Sequence, residues 1–370
     1  MKPRALFVGR TRYALPLAPG LARKWDAIGQ RVDYRVLGCA ERHGAVGDER
    51  FELLQPVSPR RLDGVAFYAL LPFRVRRSLR RRRPQAVFAE SPQIGAAVVI
   101  GRALAGRPRP KLVVEVHGDW RYATRLYGSP ARRLVSPLSD ALSTWALRRA
   151  DAVRALSPFT ARLVEDATGR PAAGSFPTYS DLAAFTAGPR LPPPERPCAL
   201  FVGTLEPTKG VDTLAEAWRR VVRELPEARL VVVGRGSLAP AVERLVHELP
   251  GRVEYVPELQ PEEVAARMDV ATALVLPSRS EGLGRVIVES FARGRGVVAS
   301  ATGGIADLVT DGVEGLLVPP GDADALAAAL ARVLSEPELA TRLGAAAGER
   351  FEALGLTLER YADQIAALAT

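Results

Sequence analysis

The tightest constraint on how this chain folds is a repeated pattern. A short, mainly apolar run is followed by a loop carrying glycine or charge, and then by a helical stretch. In the first half the runs are Arg4-Ala5-Leu6-Phe7-Val8-Gly9, Gln85-Ala86-Val87-Phe88-Ala89 and Lys111-Leu112-Val113-Val114-Glu115-Val116, with a helical stretch from Asp140 to Arg149. Apolar strands that do not alternate with polar residues are buried on both faces, and helices between them imply parallel sheets covered on each side. The pattern then breaks at 186–197, where four of the last six residues are proline. Proline cannot donate to a sheet and stiffens the chain, so this stretch reads as a linker. Beyond it the pattern restarts with Cys198–Gly203, Arg229–Gly234, Ala273–Ser278, Gly296–Ser300 and Gly315–Val318. Asp212 is expected to cap a helix running to about Glu224. Pro261-Glu262-Glu263 opens another, with proline early and acids in the first turn. Asp324–Leu334 is helical, and an amphipathic helix begins near Leu358. The expected organisation is a basic first domain over 1–185, a linker over 186–197, a second domain over 198–355, and a final helix over 356–370 that packs back towards the first domain.

The chain's 370 residues, 47% of them apolar, suffice for two buried cores. Cys39 and Cys198 lie far apart and have no metal or redox spacing, which suits two inert thiols in a reducing compartment. No apolar run approaches the ~20 residues needed to span a bilayer. The opening residues are too short for a signal peptide and read as a first strand, so the expected location is the cytoplasm. Charge is divided unevenly. Residues 1–185 hold 32 Lys+Arg against 15 Asp+Glu, a net of +17, and the remainder holds 19 against 26, a net of −7. A basic domain attracts an anionic partner such as a membrane surface, a lipid phosphate or nucleic acid. Within it, Phe67 to Arg83 mixes Phe67, Tyr68, Leu70, Leu71 and Phe73 with Arg74, Arg76, Arg77 and Arg80 to Arg83. Such a segment is either a helix lying peripherally on an anionic membrane or a solvated helix.

Ligands of open parallel sheets sit at the carboxyl ends of the strands. Four loops of the second half carry suitable residues there: Gly203-Thr204-Leu205-Glu206-Pro207-Thr208-Lys209-Gly210, Gly234-Arg235-Gly236-Ser237, Pro277-Ser278-Arg279-Ser280-Glu281-Gly282-Leu283-Gly284, and Ala301-Thr302-Gly303-Gly304. Glycine admits a ligand close to the backbone, helix-start amides bind phosphate, and Lys209 adds a mobile positive charge. Gly234-Arg235-Gly236 lacks the third glycine of a dinucleotide fingerprint, which argues against a nicotinamide site. Glu281 and Glu289 flank Gly282-Leu283-Gly284 and would stand roughly 12 Å apart in full helix. Carboxylates accept strongly from vicinal hydroxyls, so one can hold a ribose and the other a sugar.

These residues resemble glycosyltransferase family 4, closely over 198–334 and more loosely at Ala150–Ser157 and at Pro177-Thr178-Tyr179-Ser180-Asp181. The resemblance implies an α/β chain of GT-B architecture, with two Rossmann-like domains whose parallel sheets face each other across a cleft. It places Glu289 on the donor ribose and Glu281 on the transferred sugar. Backbone amides of Gly282, Leu283 and Gly284 would bind sugar hydroxyls and phosphate, and Lys209 would bind phosphate. Gly203, Gly234, Gly303 and Gly304 complete the donor loops. Thr204 stands where many members have arginine, and Arg235 or Arg279 is expected to compensate. Asp307 stands where members often carry Glu. His117, in Val116-His117-Gly118-Asp119, matches a histidine near the donor sugar. The catalytic set is then Lys209, Glu281 and His117.

The first loop departs from the family. Members have a Gly-Gly turn there, and this chain has Gly9-Arg10-Thr11-Arg12-Tyr13. Arg10 and Arg12 are expected to face an anionic acceptor group, with His117 and Asp119 also on the acceptor; the alternative is that they are surface arginines. Asp322-Ala323-Asp324 spells the Asp-X-Asp of metal-dependent transferases but precedes a helix, so it reads as a cap. No metal and no cofactor is expected.

The resulting reading is a metal-independent, retaining glycosyltransferase of hexosyltransferase type. Its partners are a nucleotide-diphosphate sugar and a glycan, lipid-linked or small-molecule acceptor, in polysaccharide or glycolipid synthesis, with no nucleic acid. The alternatives are a nucleotide-sugar epimerase of related fold and a non-catalytic membrane- or nucleic-acid-binding protein.

Overall fold

The structure is a computed structural model that describes residues 2–44, 46–57, 60–121 and 130–370. It divides into two compact units, Met1–Tyr179 with Leu356–Thr370, and Ser180–Gly355. The first holds strands β1 (Arg4–Tyr13), β2 (Asp33–Ala40), β3 (Phe51–Leu54), β4 (Ala86–Ala89), β5 (Lys111–Val116), β6 (Ala152–Ala155) and β7 (Gly174–Ser175) in one sheet of order β3-β2-β1-β4-β5-β6-β7. Every pairing is parallel. Helices α1 (Pro19–Arg31), α2 (Arg60–Arg82), α3 (Pro92–Ala105), α4 (Pro130–Arg149) and α5 (Pro158–Thr168) connect them. Successive strand residues point to opposite faces. Leu6, Val8, Val87, Ala89, Leu112 and Val114 accordingly pack under α2 to α5. Ala5, Ala86, Phe88 and Val113 pack with Trp25 and Ile28 of α1 on the other side.

The second unit repeats the plan. Its strands β8 (Cys198–Val202), β9 (Arg229–Val233), β10 (Val253–Val256), β11 (Ala273–Leu276), β12 (Val297–Ser300) and β13 (Gly315–Val318) lie in the order β10-β9-β8-β11-β12-β13. Its helices are α6 (Ala183–Thr186), α7 (Val211–Glu224), α8 (Ala239–Glu248), α9 (Pro261–Asp269), α10 (Arg285–Ala292), α11 (Ile305–Leu308), α12 (Ala323–Ser335) and α13 (Pro337–Leu354). The last helix, α14 (Leu358–Ala369), belongs to the first unit, where Tyr361, Ile365 and Leu368 join the core under α1. In each sheet the strand order reverses once, between β1 and β4 and between β8 and β11. Loops diverge at such a switch point and leave a crevice at the carboxyl ends of the strands.

Two sequence expectations need correction. The division between units falls at Tyr179/Ser180, ahead of 186–197, and that stretch is part of the second unit. A proline-rich segment offers carbonyls but few donors. Two buried arginines supply the donors. Arg293 reaches the carbonyls of Ala187 (2.8 Å) and Pro189 (3.2 Å), and Arg295 those of Leu191 (2.6 Å) and Pro192 (3.1 Å). Asp212 does not cap α7, whose N-cap is Gly210 in the left-handed region with no side-chain bond. Its carboxylate instead takes the Arg279 guanidinium at 2.9 and 2.7 Å.

Arg293 also forms a two-pronged pair with Asp269, both bonds 2.7 Å. Removing one partner of a buried, hydrogen-bonded pair leaves the other charge uncompensated. Arg293→Ala is therefore expected to destabilise the second unit by about 3–5 kcal/mol. Urea unfolding checks this, and a loss below about 1 kcal/mol, the scale of an exposed pair, would contradict it.

Candidate functional site

In the second unit the switch point brings together the loops that follow β8 and β11. They meet backbone to backbone, and glycine is what permits this. Gly210 has φ +65°, and a Cβ there would lie 2.0 Å from the Pro277 carbonyl oxygen; at Gly234 it would lie 1.8 Å from that of Gly203. The loop after β12 closes in the same way, because a Cβ on Gly303 (φ +54°) would lie 2.0 Å from the Glu281 carbonyl oxygen. The Gly304 amide donates to that same oxygen at 3.0 Å. Much of the glycine signal thus reflects loops packing on loops.

The interlock places two charged side chains together. Lys209 Nζ donates to Glu281 Oε2 at 2.5 Å, and the buried Ser278 hydroxyl lies 3.4 Å from the same oxygen. Both members of the pair keep some exposure, 21% for the lysine side chain and 16% for the glutamate. The turn Pro207–Lys209 is fixed by Arg279, which donates to the Pro207 carbonyl at 2.6 Å while gripping Asp212. Arg279 is thus committed to the loop that carries Lys209 and is not free to replace the arginine missing at Thr204. Thr204 itself is exposed. Arg235 is 70% exposed and pairs with Glu258 at 2.9 Å, an exchangeable surface contact.

Gly284 (φ +82°) precedes α10, and no side chain caps that helix, which leaves its first amides to other acceptors. Glu289 lies one turn in. Its carboxylate is buried and meets Arg285 Nε at 3.0 Å. Burial raises the Glu289 carboxyl above the ordinary carboxylate range, against the opposing pull of Arg285. Asp322 accepts from the Ala325 amide at 2.9 Å and Asp324 pairs with Arg220 at 2.9 Å, so both aspartates of the Asp-X-Asp sequence have local roles.

The corresponding edge of the first unit is built differently. β1 does not end at Gly9. After a register shift between Val8 and Arg12 it continues to Tyr13, with Arg12 opposite Cys39. Glu90, at the end of β4, fills the resulting bulge and accepts from the amides of Arg10 (2.8 Å) and Thr11 (3.2 Å) and from the Thr11 hydroxyl. Arg10 and Arg12 each reach Asp63 at 3.5 Å, and Arg10 lies over the Phe67 ring. Asp119 accepts from the Arg121 amide and side chain.

His117 is half-exposed at the end of β5, and its Nε2 lies 3.2 Å from Glu115. Glu115 is in turn paired, at 2.7 Å, with Arg154, its register partner on β6, which is fully buried. Burial alone would raise the Glu115 carboxyl; Arg154, followed by His117, outweighs it and holds the group well below its usual range. Arg154 also donates to the Phe176 carbonyl and the Thr178 hydroxyl and lies over the rings of Phe176 and Tyr361. Motif reading passes over Glu90, Glu115 and Arg154. Their one signal is a charge within a largely apolar strand for Glu115 and Arg154, and directly after one for Glu90.

Two parallel-sheet units, the second with glycine-rich loops interlocked at its switch point, make a two-domain α/β framework. Residues 188–350 match the family model of glycosyl transferases group 1, and residues 9–174 that of the glycosyl transferase 4-like domain. The chain belongs to the family 4 type of GT-B glycosyltransferases. It is 28% identical to the alpha-D-kanosaminyltransferase of Streptomyces kanamyceticus over 308 residues, 80% of this chain and 79% of that one. Several other curated relatives match over about half of their own length or less. Among solved structures, sucrose-phosphate synthase of Thermosynechococcus elongatus superposes with a TM-score of 0.79 at 24% identity, over 100% of this chain and 98% of that one. Anabaena HepE, solved in complex with UDP-glucose, does so with a TM-score of 0.70 at 18% identity, over 98% of each chain.

The raised Glu289 carboxyl couples stability to pH. Its native form binds a proton more tightly than the unfolded chain, so its stabilising contribution is full below about pH 4.5, the ordinary value, and is lost as pH rises through the higher native one. Relative to Glu289→Gln, the natural protein should therefore lose stability between pH 4.5 and neutrality. Denaturant midpoints of the two at both pH values check this, and a gap that stays constant or moves the other way contradicts it.

Proposed function

We propose that the chain transfers a sugar, with retention of anomeric configuration, from a nucleotide-diphosphate sugar to a hydroxyl of a glycan, lipid-linked or small-molecule acceptor. The observation that carries this is the Lys209–Glu281 pair set within interlocked glycine loops at the switch point of the second unit. A diphosphate competes with Glu281 for the Lys209 ammonium. Once released, the Glu281 carboxylate accepts hydrogen bonds from sugar hydroxyls, and Glu289 accepts from the ribose. The amides that open α10 complement the phosphate charge. HepE's complex with UDP-glucose makes that donor the first to try.

In the reaction, the bond from the anomeric carbon to the diphosphate oxygen breaks and its electron pair stays with the leaving phosphate. The acceptor oxygen attacks from the same face, and its proton passes to the departing phosphate. The protein contributes charge stabilisation of the leaving group and positioning. His117, held by Glu115 and through it by Arg154, is the first unit's proposed contact with the acceptor. No metal enters the proposed step, since Lys209 supplies the charge and both aspartates of the Asp-X-Asp sequence have other roles.

Lys209→Ala and Glu289→Ala should each lower turnover at least tenfold, and up to the ~2.7–4 kcal/mol typical of one lost transition-state contact. The natural protein should keep its rate in a chelator, and its product should keep the donor's anomeric configuration by NMR. Unchanged rates in both variants would remove the site assignment. An inverted product would remove the retaining mechanism. Conversion of the donor sugar with no acceptor consumed would mark an epimerase instead.

A further inference from the structure

The outer layer of the first unit carries a surface that donor binding and transfer do not use. Helices α2, α3 and α4 lie side by side, α2 against α3 and α3 against α4. Among the described residues, eight of the thirteen exposed large hydrophobic side chains fall on these three helices. They are Val65, Tyr68, Leu70 and Phe73 on α2, Ile100 and Leu104 on α3, and Leu138 and Leu142 on α4. Phe73 is 59% and Leu138 61% exposed, and apolar side chains grouped on one surface mark an interaction site where scattered ones do not.

The spacing aligns these residues. Positions three, four and seven apart share a helix face. Leu70 and Phe73 therefore continue into Arg77, Arg80 and Arg81. Ile100 and Leu104 lead to Arg107 just beyond the helix, and Leu138 and Leu142 to Arg149. All these arginines are exposed. None of them has a carboxylate partner among the described residues. Each of the three neighbouring helices thus presents apolar side chains followed by guanidinium groups that no carboxylate among the described residues neutralises. No helix among the described residues is long and apolar enough to cross a membrane, so a surface of this kind lies on its partner and does not span it.

We infer that the α2–α3–α4 face docks the protein onto an anionic lipid bilayer. The apolar side chains enter the boundary between headgroups and acyl chains, and the arginines meet lipid phosphates. Charge selects this occupant over a second copy of the chain. A two-fold contact would set the same arginine clusters against each other, and like charges brought together disfavour that pairing. A duplex nucleic acid would meet the arginines but gain nothing from Phe73, Leu104 or Leu138. The surface extends the basic segment of the sequence, which lies on α2, to the two neighbouring helices.

The test is co-sedimentation with vesicles of phosphatidylcholine alone and of phosphatidylcholine with about a third phosphatidylglycerol. The natural protein should bind the anionic vesicles, bind the neutral ones at least tenfold less, and release as salt rises. Phe73→Ser with Leu138→Ser, and separately Arg80→Gln with Arg81→Gln, should each lower anionic-vesicle binding at least tenfold. Both variants should keep the natural melting temperature and the natural affinity for a nucleotide-sugar donor. Absent binding overturns the inference, as does equal binding to both vesicle types or binding that the apolar variant leaves unchanged. A concentration-dependent dimer in sedimentation velocity that Phe73→Ser abolishes, or binding to a short DNA duplex as tight as to anionic vesicles, overturns it in favour of the other occupants.

Discussion

The chemistry proposed for this protein depends on how closely four loops of the second unit approach one another. Backbone meets backbone at Gly210 against Pro277, Gly234 against Gly203, and Gly303 against Glu281, with each added Cβ falling 1.8–2.0 Å from a carbonyl oxygen. Any side chain there forces the loops apart. That separation would part Lys209, which follows β8, from Glu281, which follows β11. The Arg279 grip on Asp212 and on the Pro207 carbonyl supports the same arrangement from behind. Preorganisation of this kind lets a charged group act in the transition state without first moving into place.

The two units share a strand order yet treat their switch points in opposite ways. In the second, glycines hold the loops in close contact and a lysine–glutamate pair remains partly exposed. In the first, β1 runs on past its bulge and Glu90 takes the amides that an open turn would present. Behind this edge, Glu115 and Arg154 form a buried pair with further hydrogen bonds to Phe176 and Thr178. A buried pair is weak support for stability, but breaking it is costly because one charge is left alone. It fixes the partner to which His117 bonds. Tyr361, from the last helix of the chain, closes the ring over Arg154. Residues far apart in sequence thus set one histidine.

Much of this was legible in the sequence because it is local. Apolar runs of strand length, loops of glycine or charge after them, and the Glu281–Glu289 spacing report the parallel sheets and the loops that carry Lys209 and Glu281. What escaped reading depends on distant partners. Arg279 looked like a phosphate ligand until Asp212 and Pro207 were seen to occupy it, and Asp212 looked like a cap for the same reason. Asp63, from another element, lies beside both Arg10 and Arg12, and no local pattern announces it. The proline stretch looked like a linker because proline signals a break. Only the folded chain shows Arg293 and Arg295 tying it down.

The most direct measurement is a crystal structure of the protein with bound UDP. The β-phosphate should accept from Lys209 Nζ, the ammonium should have left Glu281, and the ribose hydroxyls should donate to Glu289. Nucleotide bound elsewhere, with the contact between Lys209 and Glu281 still made, would contradict the donor site on which the proposed chemistry rests.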